Sequence, residues 1–315
     1  MSNIDVTQYL IEHHMEIHKS KEGFESFIKG ASRKYRSYEI PKRTSGTRKI
    51  AQPMRQLKDY QRTIVTIFET TFLIHDCCMA YMKGRDIKTN ALIHSGNSFF
   101  LKMDFTDFFN SITPKLFFEG CERQKIDLNW ADKETLEKIL FWCENKYSKE
   151  LVLSIGAPSS PFISNFVMYS FDEVLNEYCK KNGITYTRYA DDLTFSTSTS
   201  GILFSVPDIV RGTLLQFYGT KIQINQFKTA FSSKKHNRHV TGLTITNDNN
   251  ISIGREKKRY IKHLVHNFIE EKITLEDLNY LRGYLGFIKY VEPSFLISLE
   301  QKYTQSVIQK IRLGN

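Results

Sequence analysis

Hydrophobic and polar residues alternate with a period of two across residues 184–196, ITYTRYADDLTFS. β-branched and aromatic side chains alternate with polar ones on both sides of Asp191 and Asp192, which predicts two strands joined by a tight turn. Ala190-Asp191 is a poor turn sequence, because the favoured two-residue turns need a residue with positive φ. From the residues alone, the acidic pair is either an exposed turn or a functional site whose charge repulsion a bound cation would relieve.

A second acidic strand end lies upstream, in residues 99–109, FFLKMDFTDFF. The apolar run is too short for a core helix, and it ends at Asp104, which has no partner within its own segment. If Asp104 meets Asp191 and Asp192, the three carboxylates form an all-oxygen site suited to Mg²⁺. Two such ions would support nucleotidyl transfer, one activating the attacking hydroxyl and the other stabilising the leaving pyrophosphate.

The remaining pattern predicts helices around these strands and one basic hairpin. Helical spacing predicts one or two short helices in residues 1–30, a helix in 57–72, a mixed helical insert in 114–150 and a basic helical region in 254–287. Residues 33–49 hold seven cations and one acid around the turn Thr44-Ser45-Gly46-Thr47, which predicts a hairpin with basic arms. Those cations either form a solvated positive face or bind a triphosphate.

Two short segments carry further candidates. Residues 154–161, SIGAPSSP, form a loop of small residues that lets a duplex end approach Gly156 and Ala157 closely. Ser160 is the predicted N-cap of the helix that follows. Asn90 and His94 are four residues apart, so on a helix they share a face.

Composition narrows the class of partner. The chain of 315 residues is 41% hydrophobic and 13% aromatic, which predicts a folded globule. A formal net charge of +10 predicts a polyanionic partner, with nucleic acid ahead of a membrane surface. Five cysteines without a CxxC pair predict reduced thiols and a cytoplasmic protein. No apolar run approaches the length that spans a membrane, so we expect no membrane segment.

Several motifs resemble the palm of reverse transcriptases. They are Tyr189-Ala190-Asp191-Asp192, Asp104 in the setting Lys-Met-Asp-x-x-x-Phe-Phe, and the Gly156-Ala157-Pro158 loop. Within that superfamily the chain most resembles the bacterial retron enzymes, because Asn90-Ala-x-x-His94 and Val240-Thr241-Gly242 are similar to two retron signatures. The resemblance runs from about Arg33 to the end of the thumb.

The resemblance implies an α+β fold with the right-hand polymerase architecture: fingers, a palm of antiparallel sheet plus helices, and a helical thumb. The implied divisions are N-terminal helices and fingers in 1–95, the first catalytic strand of the palm in 96–113, a helical insert of fingers or palm in 114–150, the palm in 151–238, and the primer grip and thumb in 239–315.

The resemblance also implies roles for individual residues. Asp104, Asp191 and Asp192 are the expected catalytic residues, and with the backbone carbonyl of Phe105 they would hold two Mg²⁺ ions. The expected nucleotide-binding residues are Arg48 and Lys49 at the phosphates, Phe109 as the steric gate against a ribose 2′-hydroxyl, Gly156 and Ala157 at the new base pair, and Lys228 near the pyrophosphate as a general acid. The expected contacts to template, primer and RNA are Asn90, His94, Tyr189, Val240, Thr241, Gly242, Arg255 and Lys258. In one departure, Ile155 stands where the family usually has Gln, which puts a polar contact to the nucleotide sugar in doubt.

The function implied by the resemblance is that of an RNA-directed DNA polymerase. Such an enzyme binds its own structured noncoding RNA, primes from a guanosine 2′-hydroxyl and copies part of the RNA from deoxynucleoside triphosphates. The branched RNA–DNA product, multicopy single-stranded DNA, serves in phage defence with a companion effector or toxin. The chain ends too soon after the thumb for an RNase H domain, so a host RNase H would remove the RNA. The alternatives are a reverse transcriptase of another bacterial lineage, from a group II intron or a diversity-generating system, and a catalytically inactive RNA-binding scaffold.

Overall fold

The computed structural model describes residues 5–42, 46–144 and 150–313. The helices are α1 (Val6–His13), α2 (Met15–His18), α3 (Lys21–Lys29), α4 (Arg55–Phe68), α5 (Ile87–His94), α6 (Phe108–Ser111), α7 (Pro114–Arg123), α8 (Trp130–Leu140), α9 (Ser160–Val167), α10 (Tyr169–Lys181), α11 (Val206–Tyr218), α12 (Arg255–Ile269), α13 (Leu275–Val291), α14 (Pro293–Tyr303) and α15 (Gln305–Leu313). The strands are β1 (Tyr35–Pro41), β2 (Thr47–Pro53), β3 (Phe99–Asp104), β4 (Trp142–Cys143), β5 (Leu151–Val152), β6 (Thr185–Tyr189), β7 (Asp192–Thr197), β8 (Ala230–Ser233), β9 (Arg238–Val240), β10 (Leu243–Ile245) and β11 (Ile251–Ser252). The predicted turn residues Thr44 and Ser45, and positions 145–149 of the predicted insert, lie outside the described residues.

Four antiparallel strands form the central sheet, in the order β6-β7-β3-β8. The β6–β7 hairpin is the one that the sequence predicts: Tyr189 pairs with Asp192, and Ala190 and Asp191 form the turn. Ala190 has a φ of +56°, a left-handed conformation that is unfavourable by about 1–2 kcal/mol for a residue with a Cβ. Because β3 pairs with β7, Asp104 lies opposite Asp192. The sheet therefore brings the two acidic strand ends together.

The predicted basic hairpin is formed by β1 and β2, with Tyr35 opposite Pro53. The small-residue loop docks on this hairpin, where the Ala51 N–H donates to the Ile155 carbonyl at 2.8 Å. Gly156 follows with a φ of +126°, and a Cβ there would lie 3.1 Å from the Ala51 carbonyl oxygen. The glycine thus permits close contact between loop and hairpin, whereas the sequence suggested contact with a duplex.

Several predicted helices differ from the observed ones in number or in their ends. Residues 5–30 hold three helices instead of one or two. The side chains of Asp5 and Ser20 cap α1 and α3, and α2 lies between them without a side-chain cap. Helix α4 ends at Phe68, before the predicted end at residue 72. The N-cap of α9 is Ser159, one residue before the predicted Ser160. Helix ends are set by local caps and packing, which periodicity does not resolve.

Two clusters of buried apolar residues hold the molecule together. The larger one extends from Val6 to Ile222 and joins the N-terminal helices to the central sheet and its covering helices. The smaller one contains Ala91 of α5 and Phe100 of β3, together with residues of β9–β11 and of the C-terminal bundle, α12–α15. Helix α5 therefore lies between the central sheet and the C-terminal bundle.

All five cysteines are buried thiols. None of the helices in the described part of the chain is both long enough and apolar enough to cross a membrane.

Candidate active site

The three predicted carboxylates meet at one end of the central sheet. Asp104 ends β3 and lies opposite Asp192, the first residue of β7. Asp191 lies in the turn, and its carbonyl accepts a hydrogen bond from the Phe105 N–H at 3.1 Å. An antiparallel ladder sets strand ends opposite each other, so the strand pairing itself assembles the cluster. The backbone of Phe105, the fourth predicted ligand, lies beside Asp191 for the same reason.

Burial and mutual repulsion disfavour the charged forms of the two turn carboxylates. Burial raises the pKa of Asp191, and the nearby Asp104 raises it further. Burial also raises the pKa of Asp192 to about 6, with Asp191 as the next cause. A cation close to these groups would favour their charged forms. The cluster therefore has the electrostatic character of a cation site.

Lys228 provides one positive charge to this cluster. Its Nζ donates to both carboxylate oxygens of Asp104, at 2.9 Å each, and this bond raises the pKa of Lys228. Among residues 5–42, 46–144 and 150–313, no three acidic, histidine or thiol side chains are arranged to hold a metal ion as they stand. Carboxylate oxygens are nevertheless the ligands that Mg²⁺ prefers, so the three residues fit such an ion. In this structure the positive charge beside Asp104 is the Lys228 ammonium group.

A buried ion pair supports the turn that carries Asp191. Arg188 and Asp172 both have no exposed side-chain surface, and Nη2 of Arg188 donates to Oδ2 of Asp172 at 2.6 Å. The Tyr186 hydroxyl donates to Oδ1 of Asp172 at 2.8 Å. Nη1 of Arg188 donates to the carbonyl of Ala190 at 3.1 Å. The guanidinium thus holds the left-handed residue that immediately precedes Asp191.

A cavity of about 300 Å³ opens beside the small-residue loop. Its lining includes three residues with predicted nucleotide contacts and three without a predicted role: Phe109, Gly156, Ala157, Lys58, Arg62 and Tyr81. Aromatic rings, cations and an accessible backbone are the groups that bind a base, phosphates and a sugar. The cavity therefore suits a nucleotide.

The two predicted phosphate ligands on β2 differ in their surroundings. Arg48 is exposed and close enough to Asp191 to oppose the rise in the pKa of that carboxyl. Lys49 points elsewhere, since its Nζ donates to Glu144 at 2.7 Å. That pair is well exposed, at 42% and 53% of the side chains, so it holds Lys49 only weakly. Arg48 is the better placed of the two.

Comparison with known proteins shows which family has this arrangement. Residues 40–245 match the family model described as reverse transcriptase (RNA-dependent DNA polymerase). The chain is 50% identical over 279 residues to the Retron Ec83 reverse transcriptase of Escherichia coli, covering 88% of this chain and 89% of that relative. This chain belongs to the retron reverse transcriptases. The Retron Ec73 reverse transcriptase of Escherichia coli is 32% identical over 296 residues, covering 90% of this chain and 92% of the relative.

Among solved structures, an apo telomerase from Candida tropicalis has the same fold. It aligns with a TM-score of 0.51 at 12% identity, covering 90% of this chain and 62% of the telomerase chain. The predicted α+β right-hand polymerase fold is thereby confirmed, as are the retron family and the enzyme class. The protein is an RNA-directed DNA polymerase, and RNA and DNA are its partners. The subdomain boundaries and the roles of single residues stay predictions.

The first retron signature is buried, although Asn90 and His94 were predicted to contact RNA. Both residues lie on α5 with no exposed surface. The Thr187 hydroxyl of β6 donates to Oδ1 of Asn90 at 2.6 Å, and Nε2 of His94 lies 2.7 Å from the same hydroxyl oxygen. Burial lowers the pKa of His94 to about 3, so the ring is neutral. Burial contradicts a direct contact with RNA, and the two residues instead dock α5 on the central sheet.

The second retron signature meets the first. Thr241 and Gly242 form the turn between β9 and β10 with φ of +46° and +83°, as in two-residue turns with two left-handed residues. The Thr241 hydroxyl donates at 3.3 Å to the carbonyl of Ile87, the first residue of α5. The Val240 side chain is fully buried with Ala91, which contradicts its predicted contact with RNA. Thr241 and Gly242 remain accessible in this reverse transcriptase.

The other three residues predicted to contact nucleic acid differ in the solvent exposure of their side chains. Tyr189 is partly exposed at the end of β6, and Arg255 is exposed in the first turn of α12. Lys258 is paired with Glu292, and its Nζ lies 5.0 Å from the centre of the Phe295 ring. Only 28% of its side chain is exposed. The role of Lys258 stays a prediction, although Glu292 already provides a counter-charge for it.

Five residues of the reverse transcriptase site carry no signal that sequence reasoning used: Lys58, Arg62, Tyr81, Asp172 and Arg188. Arg188 could have been noticed, since a charged residue between aromatic strand residues is either solvated or paired. The sequence does not show which, because its partner Asp172 lies on α10. Tyr81 is part of a basic loop, and its positive φ cannot be predicted from the residues around it.

We expect the Asp192→Asn protein to be more stable than the wild type at pH 8 when divalent ions are removed by a chelator. The pKa of Asp192 rises from 3.8 to about 6 on folding. Because the shift is upward, its charge weakens the metal-free fold as pH rises from about 4 to about 6, by at most about 3 kcal/mol. The neutral amide removes this loss and should raise the unfolding temperature by up to about 5 °C.

The measurement is thermal unfolding at pH 4 and pH 8. Asp208→Asn is the matched control, since its carboxylate is 78% exposed and should have little effect. The same difference between pH values in wild type and Asp192→Asn would contradict the prediction.

Proposed function

We propose that Asp104, Asp191 and Asp192, with the backbone carbonyl of Phe105, hold two Mg²⁺ ions during DNA synthesis. The observation that carries this proposal is the pairing of Asp104 opposite Asp192, next to Asp191. When bound, Mg²⁺ supplies positive charge that activates the primer hydroxyl and stabilises the leaving pyrophosphate. The raised pKa values of Asp191 and Asp192 support this proposal. Burial and the neighbouring carboxylates disfavour the ionised form of each group, and a bound cation would favour it.

The other charged and aromatic groups are proposed to orient the nucleotide. Arg48 binds the triphosphate, with Lys49 as a second cation once it leaves Glu144. Phe109 fills the space beside the sugar, and Gly156 and Ala157 support the new base pair. Lys228 exchanges Asp104 for the pyrophosphate and donates a proton to it. Tyr189, Thr241, Gly242 and Arg255 are proposed contacts to primer and RNA.

We further propose that the enzyme copies part of its own structured noncoding RNA. Synthesis starts from a guanosine 2′-hydroxyl and leaves a branched RNA–DNA product. The product serves in phage defence with a companion effector, after a host RNase H has removed the copied RNA in the cytoplasm. The excess of 44 Lys and Arg over 34 Asp and Glu supports binding of a structured polyanion.

The proposed subdomain boundaries remain those of residues 95, 113, 150 and 238. The smaller apolar cluster supports the last boundary, since most of its members lie between Val240 and Ile311. Ala91 and Phe100 belong to the same cluster, so the proposed thumb contacts the segment 1–95 through Ala91 and the proposed palm through Phe100.

The test of this function is a reaction with purified components. Protein, its noncoding RNA, Mg²⁺ and the four deoxynucleoside triphosphates should give DNA that stays joined to RNA after denaturation. Debranching enzyme, which cleaves 2′,5′ linkages, should release the DNA. DNA without a covalent link to RNA would contradict the priming proposal, and no DNA in the presence of intact RNA would contradict the whole proposal.

We expect the Phe109→Ala enzyme to incorporate ribonucleotides more readily than the wild type. Removal of the Phe109 ring opens the cavity on the side that is proposed to face the sugar. A ribose 2′-hydroxyl then no longer clashes with the ring. The preference for deoxynucleotides over ribonucleotides should fall by about tenfold or more, which corresponds to the loss of one steric contact of about 1–3 kcal/mol. The measurement is the ratio of kcat/KM for deoxy- and ribonucleotides. Phe204→Ala is the control, since Phe204 is 70% exposed. An unaltered sugar preference would refute the gate.

A further inference from the structure

Tyr81 is an exposed aromatic residue held in a strained backbone conformation. Its φ is +60°, and 57% of its surface is accessible. The left-handed region is unfavourable for a bulky residue. Such strain persists where the surrounding structure imposes it, and it is common at functional sites. Neither the fold nor the carboxylate cluster explains why an exposed tyrosine stands at this position.

The backbone before Tyr81 is fixed against the central sheet. The Met79 N–H donates to the Arg188 carbonyl at 2.8 Å. Nδ2 of Asn165 donates to the Ala80 carbonyl at 2.9 Å. Both Arg188 and Asn165 are fully buried, so these anchors are rigid. The chain therefore presents the Tyr81 ring at a fixed place next to the active site.

The Tyr81 side chain forms part of the wall of the proposed nucleotide cavity. It lines the same cavity as Phe109 and Ala157. Burial raises the pKa of the Tyr81 hydroxyl, the charge of Asp191 raises it further, and Arg48 opposes this rise. Tyr81 thus gives the cavity a second aromatic side chain besides Phe109.

We propose that Tyr81 is a substrate-contacting residue whose ring packs against the base of the incoming deoxynucleotide, while Phe109 faces the sugar. The proposal rests on the proposed active site and adds to it a binding residue. Aromatic rings stack on every base, because each base has a π face. Such a contact suits a polymerase that accepts all four nucleotides.

The test compares Tyr81→Gly and Tyr81→Phe with the wild type. Glycine removes the ring and also the backbone strain, since it adopts positive φ freely. The Tyr81→Gly protein should keep its unfolding temperature or gain about 2 °C. Its KM for deoxynucleotides should rise by about tenfold or more, as for other stacking rings replaced by small residues. Tyr81→Phe should keep a KM close to that of the wild type.

Two further measurements fix which nucleotide the ring contacts. Equilibrium affinity for the noncoding RNA should be the same in Tyr81→Gly and wild type. Trp130→Ala, which removes an aromatic residue with 77% exposure from α8, should leave the KM unchanged.

A wild-type KM in Tyr81→Gly would overturn the proposal. A loss of RNA affinity without a change in KM would also overturn it, because the ring would then contact the template. Lower thermal stability with an unchanged KM would assign Tyr81 a structural role and overturn it as well.

Failure of this proposal differs from failure of the active site on which it rests. If the site is correct and Tyr81 plays no part, Asp191→Asn is inactive while Tyr81→Gly behaves as the wild type. If the site itself is wrong, Asp191→Asn retains activity whatever Tyr81 does.

Discussion

The Asp191→Asn protein should make no detectable DNA on its RNA, with a loss of about a thousandfold or more, the scale of removing a preorganised charge from a transition state. Asparagine has the same shape as aspartate, so the turn and its hydrogen bond to Phe105 should persist. What is lost is the negative charge that attracts the metal ions. Because burial and Asp104 raise the pKa of Asp191, the amide also removes a buried repulsion. The variant should therefore fold at least as well as the wild type.

The measurement is extension of RNA-primed DNA, together with thermal unfolding of the same sample. Asp208→Asn changes an exposed carboxylate on α11 in the same way and should be as active as the wild type. Unchanged synthesis by Asp191→Asn would remove the catalytic assignment. A variant that is inactive because it is unfolded would show a lowered unfolding temperature, which distinguishes the two causes.

The second large effect is expected at the ion pair beneath the turn. Asp172→Ala should lower the free energy of unfolding by about 3–5 kcal/mol, because it leaves the guanidinium of Arg188 buried without a counter-charge. Arg188 has no exposed side-chain surface, so water cannot replace the carboxylate. The Tyr186 hydroxyl also loses its acceptor. Urea unfolding measures the loss.

A double variant separates stability from positioning. Asp172→Leu with Arg188→Met replaces the pair by apolar groups, which is often neutral or stabilising. This protein should be stable, yet its activity should be lower, because the Ala190 carbonyl has lost its donor and the turn before Asp191 is no longer held. The exposed pair of Asp208 and Arg211 is the control, and its removal should change stability by less than about 1 kcal/mol. Full activity in the stable double variant would show that the pair serves stability alone.

The elements that the sequence predicts best are those governed by local pattern. The β6–β7 hairpin and the basic hairpin follow from alternation and turn residues over about a dozen positions. The sequence also indicated that Ala190 is an unfavourable turn residue, and the structure agrees, since Ala190 adopts a positive φ. The meeting of Asp104 with Asp191 also follows from sequence, but through a resemblance to a family and not through any local rule.

The failures concern polar residues whose surroundings come from distant segments. Thr187 and Arg188 are consecutive polar residues that suggest solvent exposure, yet both are buried, on opposite faces of β6. One face meets Asn90 and His94 on α5, and the other meets Asp172 on α10. A histidine in a signature motif was expected to touch RNA. Its two hydrogen bonds to strand hydroxyls show that a motif can instead specify how two elements of the fold are joined.

Helix α5 has a mechanical consequence. It is bonded on one side to the catalytic strands through Asn90 and His94, and on the other to the C-terminal bundle, where Nζ of Lys88 donates to the Tyr290 carbonyl at 2.7 Å. Moving the bundle alone would break the exposed bond of Lys88, whereas moving α5 away from the sheet would leave the buried side chains of Asn90 and His94 without their partners. If the C-terminal bundle shifts, α5 should therefore stay with β6 and β7, and thus with Asp191 and Asp192.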